Sequence, residues 1–235
     1  MSTDVLDLSH HNGVESFAAI RKAGILGVIH KATESDDYTD PTYSQRRVDA
    51  RHAGLLWGAY HFLRPGDMHA QAQRFLKVAM PGNDDLICAD HEDTGVSLDD
   101  LREFLAAIWT LTKRRAVIYS GHVLKEQVGD TVIHWLKEHQ LWVAQYTSAP
   151  QPDWPKQIWP RYFLWQYTDK GAAPGVSGDV DCNRSGVDDH LLKAQWAGTA
   201  PPEKPAIPMP GPQHVVVVTI AAPPGVRVEV NQVVS

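Results

Sequence analysis

The chain has 235 residues, 43% of them hydrophobic and 21% charged, with a formal net charge of −6 from 22 basic and 28 acidic side chains. Such a chain can bury one large core, and without a block of Lys or Arg it argues against nucleic acid or an anionic membrane surface as the main partner. No run of about 18 apolar residues occurs, so membrane insertion is not expected, and Cys88 and Cys182, too few for a disulfide framework and without metal spacing, read as buried reduced thiols.

In chain order, Val5-Leu6-Asp7-Leu8-Ser9-His10-His11 reads as a first strand, with Val5, Asp7 and Ser9 on one face. An acid in mid-strand is costly to bury unless it is paired or working. Asn12-Gly13 makes a turn and Val14 to Ala23 a short helix. Gly27 to Glu34 is a second strand, and Pro41 to His52 a helix with Pro in its first turn. Leu55 to Leu63 is a third strand, and Asp67 to Met80 a helix ended by Pro81-Gly82-Asn83.

The fourth strand, Asp84-Asp85-Leu86-Ile87-Cys88-Ala89-Asp90-His91-Glu92, ends in two acids spaced i, i+2. Alternation puts Cys88, Asp90 and Glu92 on one face and Ile87, Ala89 and His91 on the other. The two acids would then sit about 6.5–7 Å apart, Cα to Cα, close enough to perturb each other's pKa and to flank one scissile bond. The alternative for such a pair is a solvated loop entry.

Ser97 with Asp100 forms a capping box for a helix to about Lys113. Arg115 to Gly121 is a fifth strand and Asp130 to His139 a helix. Thereafter strands follow with little helix between them: Leu141 to Tyr146, Tyr162 to Thr168, and Val176 to Asn183 as a last hairpin arm, before a closing helix from Val187 to Trp196. Strand and helix alternating five times, then a run of strands, predicts an α/β fold: a parallel barrel with an irregular closing side. Reactive groups collect at the C-terminal strand tips of such barrels. His10 and His11, adjacent on a strand, would face opposite ways, and no compact metal-ligand spacing is present.

From residue 197 to 213 the composition turns Pro-rich, a semi-rigid linker. Residues 214–235 resemble a β-hairpin around Pro223-Pro224-Gly225. Two strands alone are marginal in water. This short C-terminal β appendage is therefore expected to dock on the barrel or to support self-association, the alternative being a flexible tail.

Several motifs occur together and in order: Asp7-Leu8-Ser9-His10 with Gly13; Lys31-Ala32-Thr33-Glu34; Gly58-Ala59-Tyr60-His61-Phe62; Asp90-His91-Glu92; Leu141-Trp142-Val143-Ala144-Gln145-Tyr146; Trp165-Gln166-Tyr167-Thr168; and Gly178-Asp179-Val180-Asp181-Cys182-Asn183. With them the chain resembles glycoside hydrolase family 25, lysozymes (N-acetylmuramidases) that cut the β-1,4 bond between N-acetylmuramic acid and N-acetylglucosamine in peptidoglycan. The resemblance covers Val5 to about Asp189 and implies a flattened, TIM-like (β/α)5β3 barrel over residues 1–196, with a groove across the strand tips. It implies Glu92 as general acid, with Asp90, Asp7 and Asp181 completing an acidic cluster, and no cofactor. The departure is His91, where the family usually carries an aliphatic residue; by parity it faces the helices.

Glycoside cleavage needs a proton donor for the leaving oxygen and a negative group facing an oxocarbenium-like centre. Four converging carboxylates cannot all ionise freely. The raised pKa is assigned to Glu92, with Asp90 and Asp7 staying charged. Retention assisted by the substrate's 2-acetamido group and inversion with an Asp-activated water both remain open. Tyr60, Tyr119, Tyr146 and Trp165 are the expected aromatic lining, each with plain barrel core as its alternative. Gln166 joins them as a substrate contact, and Lys31 would meet a carbonyl, a peptide carboxylate or one of the acids.

The expected partner is bacterial peptidoglycan. Met1-Ser2-Thr3-Asp4 lacks a basic region followed by an apolar one, so no secretory signal is expected. The protein would be made in the cytoplasm and act at the cell wall, as a phage endolysin does or by non-classical export. The rival functions are a non-catalytic wall-binding module and a metal-dependent hydrolase.

Overall fold

In the computed structural model, which describes residues 3–198, eight strands close on themselves. They are β1 (Val5–Leu8), β2 (Gly27–Glu34), β3 (Leu56–Phe62), β4 (Leu86–Asp90), β5 (Val117–Ser120), β6 (Leu141–Ala144), β7 (Leu164–Gly171) and β8 (Val180–Ser185). From β1 to β7 each strand pairs in parallel with the next. Strand β8 returns antiparallel to β7 and to β1, closing the barrel. Its first residues therefore lie at the same end as the last residues of the other seven. This is the irregular side expected from the loss of helices after residue 141.

Alternation along each strand separates two cores. Val5, Ile29, Leu86, Cys88, Val117, Tyr119, Trp142 and Leu164 fill the barrel. Leu6, Leu8, Val28, Trp57, Ala59, Ile87, Ala89 and Ile118 pack outward against the helices. Both cysteines are buried and unpaired.

The helices are α1 (Phe17–Lys22), α2 (Tyr43–His52), α3 (Met68–Ala79), α4 (Leu98–Thr112), α5 (His122–Val128) and α6 (Asp189–Gln195). Ser16, Asp67, Ser97 and Asp188 cap α1, α3, α4 and α6 by accepting a backbone N–H, and Ser97 with Asp100 completes the expected capping box. Trp196, just beyond α6, joins the barrel core and donates its indole N–H to the Trp57 carbonyl at 2.7 Å. Its ring occupies the space in front of Gly27, where a Cβ would lie 2.9 Å from it. This packing plugs the N-terminal end and leaves chemistry to the other.

Three local expectations change. The first strand stops at Leu8, and residues 9–12 turn back with Ser9 N–H donating to the Asn12 side chain. The helix foreseen at 130–139 is a short 3-10 segment, His134–Glu138, while α5 forms earlier. An unforeseen two-residue strand, Tyr38–Thr39, pairs with the end of β2. The linker and tail foreseen at 197–213 and 214–235 lie outside the described residues, apart from Ala197 and Gly198. Among the described residues no helix is long and apolar enough to cross a membrane.

Candidate active site

Four carboxyl groups reach the open end on three strands. Asp7, third residue of β1, shares Val5's inward parity and is 6% exposed. The antiparallel register places Asp181 of β8 directly opposite it, and their carboxyls hydrogen-bond. Asp90 ends β4 and is 4% exposed. Glu92 lies two residues on and is half-buried, and its charge acts on Asp90. Two carboxyl pairs thus face the mouth, each with a buried member and a half-buried one.

Ionised carboxyls gathered at one barrel mouth repel, so the charge of each disfavours ionisation of its neighbours. Burial raises Glu92, His122 opposes this, and the charge of Asp181 adds to it. Burial also raises Asp90 well above the usual carboxylate range, with Glu92 adding and Lys31 opposing. For Asp7 burial again dominates, then the charge of Asp181, against hydrogen bonds from Asn183 and Gln166. Burial raises Asp181 too. The expectation singled out Glu92 for a raised pKa, whereas burial raises Asp90 and Asp7 as well. It assumed solvated strand tips, whereas both side chains lie inside the barrel wall.

Gln166 is the hub of this cluster. Its Nε2 donates to both Asp7 oxygens at 3.0 and 3.1 Å, and its Oε1 accepts the hydroxyls of Tyr119 at 2.8 Å and Tyr146 at 2.9 Å. Tyr119 is buried and Tyr146 is 53% exposed at the rim. Tyr60 is half-buried on the inner face, its hydroxyl pushed well up by burial and then by the charges of Asp90 and Asp7. Trp165 is not part of the lining. Gln166 points inward, so its neighbour on β7 must point outward, and Trp165 packs in the outer core beside Tyr162 and Tyr167.

Lys31 does meet an acid, but the acid is Glu34, which also takes Arg64 at 2.8 Å. Arg64 continues to Asp93 at 2.8 Å. His91 is fully buried on the helix side, with Nε2 2.8 Å from the Gln127 amide oxygen. The strand parity that separated His10 from His11 fails, because both lie in the turn after β1 with their ring centroids 3.8 Å apart.

Sequence reasoning left out Asn183 and His122. Asn183 donates to Asp7 at 2.7 Å and to the Val5 carbonyl at 3.2 Å, while its Oδ1 accepts the Trp142 indole at 2.6 Å. It sits two residues after Asp181, so alternation alone would have put both on one face. His122 begins α5, a helix too short to show a clear period. Among the described residues no group of three or more His, Cys, Asp or Glu side chains is placed to hold a metal ion.

The sequence profile of Glycosyl hydrolases family 25 matches residues 6–176, which include Asp7, Asp90, Glu92 and nearly the whole barrel. The chain belongs to this family. Relatives include the autolytic lysozyme of Clostridium acetobutylicum, 32% identical over 183 residues that make up 75% of this chain and 53% of that protein. Lysozyme M1 of Streptomyces globisporus is 30% identical over 199 residues, covering 76% of this chain and 66% of that one. The chain thus spans between half and two thirds of these relatives' lengths. A bacterial lysozyme structure from Streptomyces coelicolor superposes with a TM-score of 0.76 at 29% identity, covering 85% of this chain and 99% of the other. The α/β barrel expected of the family is the one observed.

Proposed function

We propose that the protein is a peptidoglycan hydrolase, a lysozyme cleaving the β-1,4 bond between N-acetylmuramic acid and N-acetylglucosamine, with Glu92 as general acid. The observation that carries this reading is the Glu92–Asp90 carboxyl pair at the open barrel end, with Asp90 buried and Glu92 reachable from solvent. The names of the relatives, lysozymes and an N,O-diacetylmuramidase from Chalaropsis, support the same substrate.

Glu92 donates its proton to the leaving glycosidic oxygen. Asp90 in its ionised form faces the positive charge that develops at the sugar, and the Lys31 charge favours that form. The family resemblance favours retention with help from the substrate's 2-acetamido group, and inversion with an Asp-activated water is the alternative. Asp7, held by Gln166 and Asn183, and Asp181 set the field around the acid. Tyr60, Tyr119 and Tyr146 offer ring faces or hydroxyls to the sugar. The protein acts at the bacterial cell wall.

Purified peptidoglycan, digested and then reduced, identifies the bond by mass spectrometry. New ends carrying muramic acid support the proposal; glucosamine ends mean a glucosaminidase. Binding to the wall without new ends means a glycan-binding module.

A further inference from the structure

Beside the acid cluster, one side of the mouth carries an unbroken run of rings and cations. The exposed rings of His11 and His10 lie with centroids 3.8 Å apart, tilted by 39°, and His10 lies 6.0 Å from the ring of Tyr38. The Lys31 ammonium is 5.4 Å from the Tyr38 centroid and 5.1 Å from that of Phe62. The Arg64 guanidinium covers Phe62 at 4.5 Å. The run spans the tips of β1, β2 and β3 and passes Asp90 at Lys31.

It is also held in place. The buried Asp40 carboxylate accepts from the His10 backbone at 2.8 Å and lies 3.2 Å from His10 Nδ1, while its other oxygen takes the Thr42 N–H at 2.9 Å and hydroxyl at 2.7 Å. The Tyr38 hydroxyl meets His10 Nδ1 at 3.1 Å. Rings fixed before binding lose little freedom when a ligand lands on them. The cations are already matched: Glu34 takes Lys31 and Arg64, and Asp93 takes Arg64. Burial would raise Glu34, but bonds from Lys31 and Arg64 outweigh it, and bonds from Arg64 and the Gly95 N–H lower Asp93, so both carboxylates stay charged. The strip offers ring faces without a surplus of positive charge.

We propose that the strip from His11 to Arg64 is a platform for the apolar faces of sugar rings of the glycan strand, extending the binding edge away from the acid cluster, and that it does not read the anionic stem peptide. This rests on the glycan-cleaving reading of the neighbouring cluster. Pyranose rings present apolar faces that stack on such side chains. An anionic peptide would need unpaired cations, and Lys31 and Arg64 are committed to Glu34 and Asp93.

Calorimetry of peptide-free glycan strands against the Glu92→Gln protein, which cannot turn them over, tests the platform apart from the chemistry. Adding His11→Ala with Tyr38→Ala should weaken binding of long strands about tenfold, equivalent to about 1.4 kcal/mol. Binding of the shortest fragments should be unchanged, and His11→Phe alone should keep long-strand affinity. Raising the salt should change neither value by more than about twofold. Equal loss at every length, no loss, or affinity that depends on the stem peptide and falls with salt overturns the platform. If the unsubstituted protein opens no glycan, the active-site reading fails; the calorimetry still scores the platform.

Discussion

The side-chain amide of Gln166 donates to both carboxylate oxygens of Asp7, 159 residues away in sequence. The amide has one orientation available, because Tyr119 and Tyr146 both donate to its oxygen. Gln166→Glu keeps those two acceptor contacts, removes the donor and sets a second charge against Asp7. The variant should lose about 1–3 kcal/mol of stability in thermal melts and at least tenfold in turnover. Unchanged melting and turnover would mean that Gln166 does not hold Asp7.

Asp90 gives a stability prediction with a defined sign. Burial, then the charge of Glu92, raises its pKa in the fold above the unfolded value of 3.8. Below that value both states are protonated and burial carries no ionisation penalty. As pH rises through the unfolded pKa toward the folded one, the unfolded chain gives up its proton first and the fold loses stability. Asp90→Asn removes that loss, so it should melt higher than the parent at pH 7, with the gain shrinking toward pH 4, while turnover falls. A gain that is constant with pH, or a lower melting point at pH 7, would contradict the assignment.

How far the sequence carried this reading depended on whether local periodicity governed the residue. The inward positions of Asp7 and Asp90 followed from two-residue alternation, as did the outward-facing His91. The same rule excludes Trp165 once Gln166 is placed inside, since neighbours on a strand cannot share a face. His10 and His11 escaped it because β1 ends two residues before them. Helix α5 follows Gly121, which provides no capping side chain, and is only seven residues long, so it left no clear signal. The raised pKa values of Asp90 and Asp7 were not legible either, because they depend on depth inside the barrel wall, which tertiary closure sets.

At the plugged end, Asp85 separates folding from function. Its carboxylate is 1% exposed and takes Arg47 at 3.0 Å, Arg51, and the Gly82 N–H at 2.8 Å. Asp85→Ala strands Arg47 without its partner and should cost about 3 kcal/mol, the low end for a broken buried pair because Arg51 is partly exposed. Turnover per folded molecule at low temperature should stay within about twofold. A large loss of turnover with melting intact would imply coupling between the two ends of the barrel.

Asp181 tests the second carboxyl pair. In Asp181→Asn the amide can still bond Asp7, but the repulsion that helps raise Asp7 and Glu92 disappears. Both pKa values should fall, so the alkaline limb of the pH–rate profile moves to lower pH, with a smaller drop in maximal turnover than Glu92 substitutions give. An unmoved limb would remove Asp181 from the field around the acid.

The most direct measurement is turnover and wall binding of Glu92→Gln side by side. The amide preserves shape and hydrogen-bonding reach but has no acidic proton, so release of reducing ends from peptidoglycan should fall by about 10²–10⁴-fold while the protein still pulls down with the wall. Release at the parent's rate would contradict the account, because the proton would then have to come from another group.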